Sequence, residues 1–197
     1  ATSSSLSSGP ILARVIDVQD PDGVGRVKVV YPPNADGDDI STSEWAMVAV
    51  PVAGNDYGAF MLPGVDDLVV IAFLSGDAAA PVVMGSVWNG ANRPPAEVPG
   101  SQVNAWQMKG RNGSKIEINE EEASFIEVKT SGKNAILIED DGQKITISAG
   151  GGASTITMDA EGITVKASKF KVEAPQSEMV CGKLDVQAAL SDFSGVV

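Results

Sequence analysis

The pattern of apolar and polar positions changes near residue 100. Before this point, apolar runs of strand length alternate with turns rich in proline, glycine and aspartate. They predict strands at residues 11–18, 26–31, 45–52, 68–74 and 81–88. Five short antiparallel strands within about 90 residues predict a small closed barrel of the OB type. Closure would also remove the exposed sheet edges that promote aggregation.

After residue 100, a short alternating unit recurs along the chain. Each unit carries two aliphatic side chains, such as Ile116 and Ile118, between lysine, glutamate or threonine residues. Successive units start about ten residues apart at first and about seven apart later, which is typical of a β-helix or solenoid. Weaker copies occur at Met179 and at 184–186.

This repeat predicts the oligomer, because each strand offers only two inward apolar side chains. About nine strands are near the minimum for a single-chain β-helix, and its core would be thin. We therefore expect three chains to intertwine in a triple-stranded β-helix, each strand pairing with strands of the other two chains around a dry axis. The needle would be roughly 40–50 Å long. The expected trimer core consists of Ile116, Ile118, Ile126, Val128, Ile136, Ile138, Ile145, Ile147, Ile156, Met158, Ile163, Val165, Phe170 and Val172.

The same patterns give the expected domain boundaries. Residues 1–9 are predicted to be a flexible segment, 10–92 an OB-fold domain, 93–103 a linker and 104–197 the β-helical spike. The prolines between residues 92 and 100 favour the linker. The N-terminal residues lack a basic or apolar segment and do not suggest a signal peptide, so we expect assembly in the cytoplasm. The sequence contains no run of about 18 apolar residues, so no transmembrane helix is predicted.

Charge and composition narrow the function. The net charge of −12 opposes binding to nucleic acid phosphates and to anionic membrane surfaces. The absence of histidine removes the commonest general base, the Ser–His and Cys–His pairs and the usual catalytic zinc sites. Cys181 is the only cysteine, which excludes an intrachain disulfide, and we expect it to be buried near the axis. No catalytic, cofactor or metal site is predicted.

Two acidic motifs allow an alternative interpretation. Asp20 and Asp22 could belong to a calcium loop, but the twelfth position, where an EF-hand needs glutamate, is Tyr31, so a plain turn is favoured. Glu120–Glu122 could supply the two carboxylates of a glycosidase, but a charged loop between strands is favoured.

Aromatic residues bear on the nucleic-acid alternative. OB barrels often bind oligonucleotides through exposed aromatic side chains and basic grooves. Here aromatic residues make up only 5% of an acidic chain, so this function is disfavoured. We expect Trp45, Trp88 and Trp106 to lie in the barrel core and at the junction between barrel and needle.

The first half resembles a known family. The string DPDGVGRVKV at residues 20–29 resembles the start of the OB domain in phage baseplate assembly protein V and in type VI secretion spikes with a valine–glycine repeat. Similar motifs follow in order at 45–46, 51–54, 63–64, 69–73, 76–77, 81–83, 85–86 and 88–89. The resemblance implies a homotrimer whose barrels sit on the baseplate hub and whose needle points away from the tail tube.

The chain departs from that family pattern in two places. The acidic motif at residues 64–67 is one residue longer than in many members. Some phage spikes close their tip with a His-x-His metal site, which a chain without histidine lacks. The resemblance then implies an apolar tip or a separate tip-capping protein.

The resemblance also implies a mechanical function. We expect a structural, membrane-puncturing central spike of a contractile tail baseplate, in a virion or a phage-derived injection particle. It would contact the target outer membrane transiently and would not be an enzyme. The alternative is a carbohydrate-active or carbohydrate-binding β-helix protein, and the mass in solution separates these hypotheses.

Overall fold

The computed structural model describes residues 9–32, 41–97 and 100–187. The chain divides into two compact units, Ala1–Gly100 and Ser101–Val197. The predicted flexible segment 1–9 lies outside the described residues except for Gly9. Among the described residues there is no helix long and apolar enough to cross a membrane.

The first unit is a small β-barrel. Its strands are β1 (Ile11–Asp17), β2 (Lys28–Val30), β3 (Met47–Val48), β4 (Ala53–Gly54), β5 (Tyr57–Gly58), β6 (Leu68–Phe73) and β7 (Pro81–Ser86). Five of them form a sheet in the order β2-β1-β6-β7-β3, in which β3 runs parallel to β7. Bridges from Val27 to Ala46 and from Val30 to Thr42 join the two ends of the sheet. The prediction of an OB-type barrel is confirmed.

Alternation along these strands places small aliphatic side chains inside the barrel. The buried hydrophobic core consists of Ala13, Val15, Val27, Val29, Ala46, Val69, Ile71 and Val83. The buried hydroxyl of Ser43 accepts a hydrogen bond of 2.9 Å from the backbone N–H of Val29. This bond satisfies a polar group that would otherwise be costly to bury.

The three tryptophans were expected in the barrel core and at the junction, and none of them is fully buried. Trp88 is 68% exposed and lies just after β7, which ends at Ser86, so it is not part of the barrel core. Trp45 is half-buried, with the ammonium of Lys28 5.2 Å from its ring centroid. Trp106 is half-exposed within the first strand of the second unit.

The second unit is a single antiparallel sheet. Its strands are β8 (Ala105–Lys109), β9 (Lys115–Asn119), β10 (Phe125–Lys129), β11 (Ala135–Glu139), β12 (Lys144–Ala149), β13 (Ser154–Asp159) and β14 (Gly162–Lys166). The seven strands are hydrogen-bonded in sequence order, so the chain forms a continuous meander. The all-β fold class is confirmed.

The pairing of these strands differs from the expectation. Each strand from β9 to β13 is hydrogen-bonded on both sides to neighbouring strands of its own chain, whereas the sequence led us to expect pairing with strands of the other two chains. The physical reason is the short turns, since closing a small loop costs little entropy. Gly113 and Gly142 adopt positive φ angles of 92° and 72° in two of these turns, where a side chain would be strained.

The meander ends at β14. Among the described residues after Lys166 there is no strand, so the repeats predicted at 169–173, 179 and 184–186 form no strand within the chain. The residues from 167 to 187 are all exposed, including Cys181.

Candidate trimer interface

The predicted trimer-core residues of β9–β14 stand in two columns on one face of the sheet. Residues directly opposite each other on paired strands, and residues two apart on one strand, share a face. The first column contains Ile116, Val128, Ile136, Ile147, Ile156 and Val165, and the second contains Ile118, Ile126, Ile138, Ile145, Met158 and Ile163. The hairpin registers thus bring together every predicted core residue except Phe170 and Val172.

Strand β8 extends both columns by one residue. Met108 lies opposite Ile116, and Trp106 lies opposite Ile118. Sequence analysis expected the three tryptophans in the barrel core and at the junction, and it included neither Trp106 nor Met108 in the trimer core. The alternation of apolar residues at 106 and 108 with polar residues at 107 and 109 was the signal that could have found them.

The described residues leave this apolar face open. Ile126, Ile136 and Ile147 retain 43%, 44% and 40% of their surface exposed. Beyond the sheet, Phe170 and Val172 are 72% and 62% exposed. A contiguous apolar surface of this kind marks an interaction site on a soluble protein. We call the face that carries the two columns the apolar face.

The opposite face carries an ionic cluster across β9 and β10. The ammonium of Lys115 lies 2.7 Å from a carboxylate oxygen of Glu127 and also contacts the carboxylate of Glu117. The hydrogen bond to Glu117, followed by that to Glu127, raises the pKa of Lys115. Burial works to raise the pKa of Glu127, but contacts with Lys115 and Lys129 outweigh it and lower that pKa. Lys115 and Glu127 therefore stay charged near neutrality, which keeps this face polar.

The Glu120–Glu122 turn lies between β9 and β10, and its three side chains are exposed. The backbone N–H of Glu121 donates to the side chain of Asn119, so the turn is held locally. Within the described residues, no group of three or more histidine, cysteine, aspartate or glutamate residues could hold a metal ion.

The Asp20 turn in the first unit is built around one carboxylate. Asp20 accepts hydrogen bonds from the backbone N–H groups of Asp22, Val24 and Arg26. The guanidinium of Arg26 approaches to 2.6 Å, and the Asp20 side chain is only 4% exposed. Both carboxylate oxygens are thus occupied by N–H donors, as the plain-turn interpretation expects.

This turn gives a pH-dependent prediction. The hydrogen bond from Arg26 is the main cause that holds the pKa of Asp20 well below its ordinary value of 3.8. A depressed folded-state pKa adds stability above pH 3.8 that is lost as the pH falls below that value. We expect Asp20→Asn to be less stable than the wild type at about pH 6 and to lose less stability between about pH 6 and about pH 3.

Urea unfolding followed by tryptophan fluorescence measures both effects. Asp22→Asn removes an exposed carboxylate from the same turn and is the matched control. Equal losses of stability in the wild type and in Asp20→Asn on acidification would contradict the assignment.

Comparison with known proteins agrees with this architecture. Residues 11–88 match the injector OB domain of type VI secretion systems and phage baseplates. Residues 125–185 match the C-terminal trimerisation domain of phage baseplate protein V. The second match includes most of the two columns and continues past β14 into the exposed segment.

Curated relatives are much longer than this chain, and several of them are named as type VI secretion system spike proteins. The type VI secretion system spike protein VgrG2a of Pseudomonas aeruginosa is 33% identical over 107 residues, which is 51% of this chain and 13% of the relative. VgrG3 of Vibrio cholerae is 33% identical over 96 residues, covering 46% of this chain and 9% of the relative. The actin cross-linking toxin VgrG1 of Vibrio cholerae is 31% identical over 97 residues, with the same coverage. The chain therefore spans only about a tenth of these relatives.

The two domain matches together cover more than half of the chain. The OB-domain match lies on the barrel unit, and the trimerisation-domain match lies on the sheet unit that follows it in the sequence. The chain belongs to the family of phage baseplate protein V and type VI secretion spike proteins, and it combines the family's OB domain with its trimerisation domain.

Proposed function

We propose that the protein is the central spike of a contractile tail baseplate, a structural homotrimer that docks to the hub by its OB domain and pierces the target envelope with its C-terminal needle. The observation that carries this proposal is the open apolar face in the region that matches a trimerisation domain. No second layer covers this face among the described residues, and an apolar face of this kind needs a partner to exclude water.

Three copies of the sheet satisfy this need. With the apolar faces turned toward a common threefold axis, the two columns of each chain form a dry core, and the ionic cluster of Lys115 and Glu127 faces solvent. Each buried aliphatic side chain is worth about 1.5–3 kcal/mol when fully removed from water. Seven strands spaced about 4.8 Å apart give this part of the needle a length of roughly 30 Å.

The segment 167–187 forms the distal part of the needle in this proposal. Phe170 and Val172 alternate with Lys169, Lys171 and Glu173, which is a strand pattern that has no strand partner in the part of the chain that the structure describes. We infer that the three segments wrap around one another and pair between chains. Intertwining would thus begin after β14, where pairing within the chain ends, and the core would include Phe170 and Val172.

The OB unit offers a surface for the hub. A groove of about 500 Å³ lies beside the β4–β5 hairpin and is lined by Val24, Val52, Tyr57, Phe60 and Leu62, among others. Phe60 is 83% exposed and Tyr57 is 68% exposed. Exposed aromatic side chains in a concave apolar patch are typical anchors of protein interfaces, so we place hub binding here.

The assembled needle acts mechanically. A trimer whose strands are bonded to neighbours transmits axial load, because no segment slides without breaking many hydrogen bonds at once. The residues that matter are then structural, and the proposal includes no catalytic site, cofactor or nucleic acid.

The partners of the proposed spike are baseplate hub proteins, the target outer membrane and a possible separate tip-capping protein. We propose that residues 10–92 form the OB domain, 93–103 the linker and 104–197 the spike. The particle would be assembled in the bacterial cytoplasm.

The mass in solution tests this proposal. Sedimentation equilibrium of the wild-type chain is expected to give three times 20.3 kDa. A monomer over the whole accessible concentration range would contradict the spike and would favour the carbohydrate-binding alternative. Electron cryo-microscopy of the assembled particle then tests whether the trimer lies on the baseplate axis.

A further inference from the structure

The strand ends and turns form two rows, one along each side of the β8–β14 sheet, and these two rows carry opposite charge. Each row is called an edge below. In an antiparallel meander, alternate turns lie at opposite ends of the strands. The ends and turns at one edge carry Lys109, Arg111, Lys115, Lys129, Lys133 and Lys166, and no acidic residue occurs in 109–115, 129–135 or 148–154. The other edge carries Glu120, Glu121, Glu122, Glu139, Asp140, Asp141, Asp159 and Glu161, with Lys144 as its basic residue. We call them the basic edge and the acidic edge.

Ion pairs within the chain compensate part of this charge, because Lys115 and Lys129 contact Glu127 and Lys144 contacts Glu139. The separation of positive from negative turns between the two edges remains. A five-residue strand is roughly 14–17 Å long, which exceeds the Debye length of about 8 Å at physiological ionic strength. The two edges are therefore screened from each other. Along each edge, successive turns are two strands, or about 10 Å, apart, which is close to the Debye length, so the repulsion between their like charges is only partly screened. An ordered separation of this kind favours a partner with the complementary arrangement.

Both edges are held in place by hydrogen bonds between neighbouring turns. On the basic edge, the backbone N–H of Ser131 donates to the hydroxyl of Ser114 at 3.2 Å, and that of Gly150 donates to the side chain of Asn134 at 3.0 Å. On the acidic edge, the N–H of Glu120 donates to the carbonyl of Asn104 at 2.7 Å, and that of Asp140 donates to the carbonyl of Ser124 at 3.1 Å. The charged turns are thus ordered before any partner arrives, which lowers the entropic cost of association.

We propose that the basic edge of each copy lies along the acidic edge of the next copy around the threefold axis. This inference rests on the proposed homotrimer. In a cyclic trimer every contact is heterologous, so it joins two different surfaces of the chain. An edge-to-edge twofold dimer would instead place each edge against itself. The opposite charges of the two edges therefore favour the closed cyclic arrangement and disfavour the dimer.

The turns also fit together along the axis. A pure rotation keeps every strand at the same height, and basic turns alternate in height with acidic turns along the meander. The turn between β10 and β11, which carries Lys133, then faces the gap between two acidic turns of the partner subunit. These are the turns with Glu120–Glu122 and with Asp140 and Asp141. The exposed Lys133 is the best-placed single residue for a test.

Lys133→Glu is expected to weaken the trimer in low salt. Contacts between exposed charges are individually weak, but each is repeated three times, so we expect the trimerisation constant to fall roughly three- to a hundredfold. Urea-induced dissociation, followed by sedimentation, measures this without adding salt. The loss is expected to shrink in about 1 M NaCl, where the Debye length is about 3 Å. Arg93→Glu makes the same charge change in the first unit and is expected to have no such effect.

A compensating substitution keeps the test specific. Adding Asp140→Lys to Lys133→Glu restores an opposite pair across the interface, and we expect the double variant to recover part of the lost stability. Equal effects of Lys133→Glu and Arg93→Glu in a trimeric wild type, or a loss that salt does not change, would overturn the edge pairing alone. A monomeric wild type would instead overturn the proposed trimer.

Discussion

Ile147→Asp is expected to leave the protein monomeric. Ile147 lies in the middle of the first column, between Ile136 and Ile156. In the trimer, threefold symmetry would bring three copies of the new carboxylate into one dry core. Each unpaired buried charge costs several kcal/mol after relaxation, and the three like charges repel one another. We expect the chain itself to stay folded, because residue 147 is already 40% exposed before assembly.

The adjacent residue provides the matched control. Thr146 lies on the opposite face of the same strand, directly across from Leu137 and Thr157. Thr146→Asp introduces the same side chain into β12 without placing it in the proposed core, so this variant is expected to remain trimeric. Sedimentation equilibrium gives the oligomeric state of both variants. Because aspartate has the same low strand propensity at both positions, a difference between the variants reports on which face of β12 carries the charge. A heat-resistant trimer of Ile147→Asp would show that the apolar face is not the interface.

The apolar face was predictable from the sequence, because side-chain alternation determines the face. Strands of equal length joined by short turns keep one register, so Ile116, Val128 and Ile136 fall into line once the hairpins form. The barrel strands were predictable for the same reason, since Val27 and Val29 lie on either side of Lys28, share one face of the strand and are both buried in the core.

Strand pairing was less predictable, because a period of two identifies a face but not the chain that supplies the neighbouring strand. The sequence of β11 is compatible with a partner strand from its own chain or from another copy. Short turns favour the first, as Gly113 and Gly142 indicate. The two-residue strands β4 and β5 were missed because they are too short for a periodic signal.

The charge of the two edges shows a further limit of sequence analysis. Residues 110–114 (GRNGS) and 120–124 (EEEAS) read simply as polar turns along the chain. Only the meander reveals that every second turn lies at the same edge and that the sign of the charge follows the edge. The Glu120–Glu122 motif therefore acquires a structural explanation that neither a glycosidase nor an isolated loop provides.

Truncation after Lys166 is expected to accelerate subunit exchange between trimers, which should be very slow for the full chain. The sheets of β8–β14 pair within each chain, so copies joined by the apolar faces and edges can separate without losing their strands. Intertwined segments cannot, because all their hydrogen bonds between chains must break together. If about ten such bonds contribute about 0.5–1.5 kcal/mol each, their loss accelerates dissociation at least roughly a thousandfold.

Mixing trimers that carry two different fluorophores measures this exchange by energy transfer. A chain that ends at Gln187 keeps the segment 167–187 and is the matched control, which we expect to exchange as slowly as the full chain. A trimer truncated at Lys166 that still exchanges slowly would place the kinetic lock in the β8–β14 sheets. A truncated chain that no longer trimerises would show that the apolar face needs the distal segment to assemble. The truncation therefore separates the surface that selects three copies from the segment that keeps them together under load.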